Sequence, residues 1–128
     1  MKFKHEKDKD LFFSLHLALI MIYADLANYT KENHNIDLVI TSTKSTPEED
    51  QRLGRVSDSH STGRAIDVRC NNIDAYVLDD IVSYINSKPE YEKYRYMSHS
   101  GIERLAYVHG ADENQHIHLA IHKRYAID

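Results

Sequence analysis

The longest apolar stretch covers residues 11–29. Within it Leu15, Leu19, Ile22 and Leu26 recur three and four positions apart. That is the helical period, and it predicts a helix over 11–29 with one stripe turned to a core. Ser14, His16, Asp25 and Asn28 interrupt the stretch. An aspartate is costly in hydrocarbon, so a core helix is expected in place of a membrane span. Residues 30–35 are polar and read as a loop. Residues 36–42 are short and rich in β-branched side chains, which predicts a strand. Thr46 at the N-cap, Pro47 at the first helical position and Glu49 three after the cap then predict a short helix opened by a capping box.

Ser, Thr and Gly over 57–63 read as a tight turn, with Gly63 free to take positive φ. Ala65-Ile66-Asp67-Val68 follows as a buried strand. After a turn at Asn71-Asn72, Ile73, Val77, Ile81 and Ile85 fall four apart with Tyr76 and Tyr84 beside them. They predict an amphipathic helix over 73–87, which Pro89 ends. Tyr91, Tyr94 and Tyr96 lie in a charged loop and are expected to pack. Residues 102–109 contain the strand Leu105-Ala106-Tyr107-Val108, 110–115 form a turn, and 116–121 return as the second arm of an antiparallel hairpin. The polar tail 122–128 reads as an edge or a frayed end.

Composition narrows this further. A chain of 128 residues supports one domain with a real core. The net charge of −4 supplies no basic field for nucleic acid. The single cysteine, Cys70, excludes an internal disulfide and reads as a small buried hydrophobe. Residues 1–10 carry charges of both signs, and the apolar stretch behind them lacks a small-residue cleavage site, so no signal peptide is expected. The expectation is a chain cytoplasmic as synthesised, with no membrane partner.

The chemistry gathers at two places. His60 and Asp67 stand seven residues apart with Gly63 between them. A neutral imidazole and a carboxylate are both good zinc ligands. A turn running into a strand can bring His60 back beside Asp67. A third ligand is available in Gln115-His116-Ile117-His118-Leu119. Residues two apart in a strand share a face, so His116 and His118 point together while Ile117, Leu119 and Ile121 point to the core.

His60-x-x-Gly63-x-Ala65-x-Asp67 followed by His116-x-His118 resembles the zinc peptidases that include D-alanyl-D-alanine carboxypeptidases, phage L-alanyl-D-glutamate endolysins and the hedgehog signalling domain. The likeness covers residues 36–121. It implies a small α+β fold, with an antiparallel sheet carrying the metal in a groove and helices packed on one side. It implies Zn²⁺ held by His60, Asp67 and His118, since His-x-His branches of the family ligate through the second histidine. His116 then becomes a cleft histidine able to hydrogen-bond the tetrahedral intermediate.

The chain departs from the family twice. An arginine that usually follows the strand at 36–42 is replaced by Lys44, which gives charge but no bidentate fork. Arg52, Arg55 and Arg64 are the other cations near the motif, and each reads first as a solvated charge; Lys44 and Arg64 are taken as substrate-binding candidates. The acid expected three before the last ligand is Gln115. Asp112, in the hedgehog register, and Glu113, three before His116, are the candidate bases. His109 is either a partner across the hairpin or an exposed histidine; His16, His34, His99 and His122 read as having no task.

The resemblance implies hydrolysis of peptidoglycan stem peptides next to a D-amino acid, as a D,D-carboxypeptidase or an L-alanyl-D-glutamate endopeptidase. A phage enzyme that reaches the cell wall after release fits the missing exporter signal. The alternative is an inactive zinc-binding domain of hedgehog type that binds a partner. Two histidines and a carboxylate also suit Co²⁺ or Mn²⁺.

Overall fold

In the computed structural model, which describes residues 1–127, seven strands are formed among the described residues. They are β1 (Lys2–Phe3), β2 (Val39–Ser42), β3 (Ala65–Arg69), β4 (Tyr96–Met97), β5 (Glu103–Arg104), β6 (Ala106–His109) and β7 (His116–Ala120). Five make one sheet in the order β1-β2-β3-β7-β6, and β4 and β5 pair as a separate ribbon. The helices are α1 (Glu6–Leu11), α2 (Leu17–His34), α3 (Pro47–Arg52) and α4 (Ala75–Ser87). The protein is α+β. The main sheet is mixed, against the expected antiparallel one, because β1 lies parallel to β2 at its edge.

Strand alternation gives the sheet two unlike faces. On one, Ile66 stands opposite Leu119, and Val68 opposite both Ile117 and Ile40. All five are fully buried and join Leu19, Ile22 and Leu26 of α2 and Val77, Ile81 and Ile85 of α4 in one cluster. Burial of each such aliphatic chain contributes about 1.5–3 kcal/mol. On the other face, Ser42, Asp67, His118 and Tyr107 stand in one row across four strands.

A polar latch joins α2 to α4 above that core. Tyr29 stacks on Tyr84 with ring centroids 3.7 Å apart. Asp25 accepts hydrogen bonds from Tyr84 (2.5 Å), Tyr91 (2.6 Å) and Lys88 (2.7 Å). Burial alone would raise the Asp25 carboxyl, but Lys88, Tyr84 and Tyr91 together hold it below its ordinary value.

Several boundaries differ from expectation, each for a local reason. The apolar run 11–29 is split. Residues Phe12–Ser14 form a 3-10 turn and Leu15 is extended. His16, read as having no task, caps α2 by accepting the Ala18 N–H. The helix continues through the expected loop 30–35 to His34, where Asn35 stops it in the left-handed conformation at φ 54°. His34 is tied to Asp80 at 2.6 Å. The strand at 36–42 is shorter and begins at Val39. Thr46 caps α3 as expected, accepting the Glu49 N–H, and α4 runs over most of 73–87.

The strand at 102–109 is two strands, broken at buried Leu105. The Asn86 side chain reaches from α4 to satisfy the break, accepting the N–H groups of Leu105 and Ala106 and donating to the Ala106 carbonyl. The tail is not frayed: Ile127 N–H donates to Thr62 O at 2.6 Å, and Tyr125 packs against Tyr94 and His16. Asp128, the last residue of that expected tail, lies outside the described residues. No helix among them is long and apolar enough to cross a membrane.

Candidate metal centre

Asp67 and His118 are direct partners in the β3–β7 register and share the open face. His60 reaches them from the turn before β3. There Gly63, at φ 70°, donates its N–H to the His60 carbonyl and reverses the chain. His60 is 3% exposed and Asp67 9%. Donor atoms of His60, Asp67 and His118 all lie within 4.8 Å of one another, so this group could hold a metal ion. The sequence spacing that suggested these residues is matched by their meeting.

The orientation of His60 is set from two shells away. Its Nδ1 lies 2.9 Å from the Thr43 carbonyl oxygen. A carbonyl only accepts, so Nδ1 carries the proton and Nε2 presents a lone pair. Thr43 is fixed in turn by Asp8, whose Oδ1 accepts its N–H (3.0 Å) and hydroxyl (2.6 Å). Asp8 is buried although it belongs to the charged head of the chain. The His60 Nε2 lone pair faces Asp67 Oδ1 at 3.3 Å. His118 Nδ1 is 3.1 Å from the same oxygen. A proton on His60 or a metal ion between the two relieves these facing lone pairs. Tetrahedral sites with bonds of 2.0–2.1 Å have ligand–ligand edges of about 3.3 Å. The two edges at Asp67 Oδ1, 3.3 Å to His60 and 3.1 Å to His118, are of that length.

Burial would raise the Asp67 carboxyl, but His118 and the protonated form of His60 donate to it and hold it well below the usual carboxylate range. Burial lowers the His118 pKa and outweighs the pull of Asp67. The set is one carboxylate with imidazole nitrogens available as donors. Arg55 occupies the other side of Asp67. Its Nη2 is 3.7 Å from Oδ2 and 3.2 Å from Ser42 Oγ, while Nη1 is 3.0 Å from Asp50. With Arg55 on Oδ2, the free Oδ1 faces the histidines.

A cleft of about 890 Å³ opens over the triad, walled by Leu53, Arg55 and Val56 on one side and by Tyr107, His109, Asn114 and His116 on the other. His116 Nδ1 is 2.9 Å from the Asn114 carbonyl, so its Nε2 also turns inward, 3.6 Å from Asp67 Oδ1. His109 is exposed, with its ring 5.4 Å from that of His116. Asp112 and Glu113 are exposed on the turn Asp112–Asn114 and neither lines the cleft. Lys44 is half-buried and lines it nowhere; Arg52 is exposed. Arg64 lies on a second limb of the cleft, past His118, together with His99, His122 and Tyr96. Of the three loop tyrosines, Tyr91 and Tyr94 pack and Tyr96 lines that limb. Cys70 is a buried hydrophobe, its thiol pushed up to about 11 by burial.

Sequence reasoning missed Asp8, Thr43 and Tyr107 and undervalued Arg55. Tyr107 was within reach: the expected hairpin turn at 110–115 pairs His109 with His116, and hence Tyr107 with His118. Nothing in the sequence pointed to Asp8, which meets Thr43 across 35 residues. No family model, curated protein or solved structure matches this chain.

Proposed function

We propose that the protein is a zinc-dependent peptidase that hydrolyses peptidoglycan stem peptides next to a D-amino acid, of the D,D-carboxypeptidase or L-alanyl-D-glutamate endopeptidase type. The observation that carries this reading is the meeting of His60 Nε2, Asp67 Oδ1 and His118 Nδ1 on the floor of an open cleft. Those residues stand in the order and spacing of the zinc peptidases that the sequence resembles, and the chain is of the α+β class that the resemblance implies. Three protein ligands with a fourth position toward a cleft is the arrangement of catalytic zinc.

His60, Asp67 and His118 would hold the zinc ion, which would supply Lewis acidity toward the scissile carbonyl and toward water. The chain supplies the rest. Thr43 and Asp8 lock the tautomer and ring angle of His60. Arg55 restricts Asp67 to one free oxygen. The walls of the cleft orient the peptide. Proton transfer to the leaving amine needs a group within hydrogen-bond reach. Asp112 and Glu113 hold that role in the resemblance; both sit on the exposed turn, so we assign it to His116, whose Nε2 faces the site.

The same displacement of the acids favours a second reading: a zinc-binding domain without hydrolytic activity that binds a partner. The experiment is zinc content by mass spectrometry for the wild type, His60→Ala and His118→Ala, followed by digestion of purified peptidoglycan. About one zinc per chain, lost in both variants, together with released peptides ending beside a D-residue, supports the peptidase. Zinc without cleavage assigns the second reading. A wild type that takes up no zinc overturns both.

A further inference from the structure

The cleft has a second limb of about 460 Å³, beyond Tyr107 and His118, between the β4–β5 ribbon and residues 122–123. Its fully charged lining is Arg64, Arg104 and Lys123, with no carboxylate among its walls. In a chain of net charge −4 this is a local reversal of sign. Arg104 is the member held in place. Its guanidinium lies 3.9 Å from the Tyr107 ring centroid, and that ring is 5.4 Å from the His118 ring. A guanidinium stacked on an aromatic face keeps its in-plane donors free for a ligand.

Those donors are short of partners. Arg104 Nε is buried with no hydrogen bond among the described residues, and the same holds for the Tyr96 hydroxyl on the strand opposite. Arg64 is otherwise committed, through Nη2 to Asp58 and Nη1 to the Ile121 carbonyl, yet its Nε is also buried and unpaired. Buried donors on cations are expensive unless an acceptor arrives. The planar fork of arginine matches a carboxylate, which takes two parallel N–H bonds.

We propose that this limb is a carboxylate subsite, in which Arg104, supported by Tyr96 and Arg64, binds a free carboxylate of the peptide on the His122 side of the metal centre. The assignment rests on the peptidase reading for its substrate, but the subsite itself is built without the metal. A peptide lying across His118 then has a fixed direction, with its acidic end toward Arg104.

The test is amide-resolved NMR titration of the whole chain, zinc-free and zinc-loaded, with N-acetyl-D-alanine, N-acetyl-D-alaninamide and inorganic phosphate. The expected result is saturable shifts at Tyr96, Arg104 and Lys123 with N-acetyl-D-alanine in both metal states, and binding of the carboxamide weaker by about tenfold or more. Arg104→Ala is expected to abolish those shifts and Arg104→Lys to restore them only in part. Equal affinity for acid and amide, shifts confined to the metal residues, or binding of phosphate with none of N-acetyl-D-alanine overturns the proposal. The acid–amide comparison on wild type stands whether or not the variants fold. Retention of the subsite in a protein that takes up no zinc would separate this proposal from the peptidase reading.

Discussion

Zinc should act as a cross-link that is measured as heat stability. His60, Asp67 and His118 lie on a turn and two strands, so an ion bound to all three ties segments that separate when the chain unfolds. The unfolded chain keeps the same side chains without their geometry and binds far more weakly. Ligand bound only by the native state stabilises it by about 2.7 kcal/mol at a free concentration about one hundred times Kd. The unfolding entropy of a domain of 128 residues is about 0.27 kcal/mol/K near its midpoint. The expected rise in Tm is therefore about 10 °C at that concentration, with a further ~5 °C for each additional tenfold of zinc. Differential scanning calorimetry in a chelator and across a zinc series reads it directly. His60→Ala and His118→Ala should remove the zinc-dependent part. A shift below about 2 °C, or an equal shift in both variants, would refute the reasoning that the ion sits on these residues.

Three other outcomes follow from particular contacts. Asp25 has its folded pKa lowered by Lys88, Tyr84 and Tyr91 against the effect of burial, so its contribution is fully present above the unfolded value near about 4. Stability should be lost as pH falls through the folded pKa, and urea unfolding of Asp25→Asn should show a flatter acid limb than wild type. Gly110 sits at φ 83°, where an added Cβ would lie 2.6 Å from the Asn114 carbonyl oxygen. Gly110→Ala should cost about 1–3 kcal/mol in urea unfolding and, by moving the carbonyl that orients His116, reduce kcat while zinc content stays at the wild-type level. His116→Ala should lower kcat by about a hundredfold or more, whereas Asp112→Asn and Glu113→Gln, on exposed side chains, should stay within about threefold; a collapse of activity in either acid variant would return the proton-transfer role to that acid.

The parts of the site that sequence revealed are those held by short-range rules. His118 and Ile117 take opposite faces because a strand alternates, and His60 returns to Asp67 because Gly63 permits the turn. The amphipathic period of α4 and the cap at Thr46 were visible for the same reason. The start of α2 was hidden because Leu11, Phe12 and Phe13 are as apolar as the helix proper; the break depends on Leu15 going extended and His16 folding back on Ala18. Asp8 and Arg55 were hidden because their value arises only from distant partners, Thr43 for one and Asp67 for the other. A charge in a polar segment carries no local sign that it will be buried.

The strand order also dictates when the protein becomes competent. β7, the last strand along the chain, inserts between β3 and β6, both made earlier. Until it arrives, the sheet is two separate pieces and the pair His60–Asp67 lacks its partner 51 residues downstream. Closing the sheet and completing the donor set are therefore one event, and it comes late because the loop to be closed is long. A growing chain emerging from the ribosome can hold no properly seated ion before residue 118 is free. An ion bound by this donor set would thus report the finished fold.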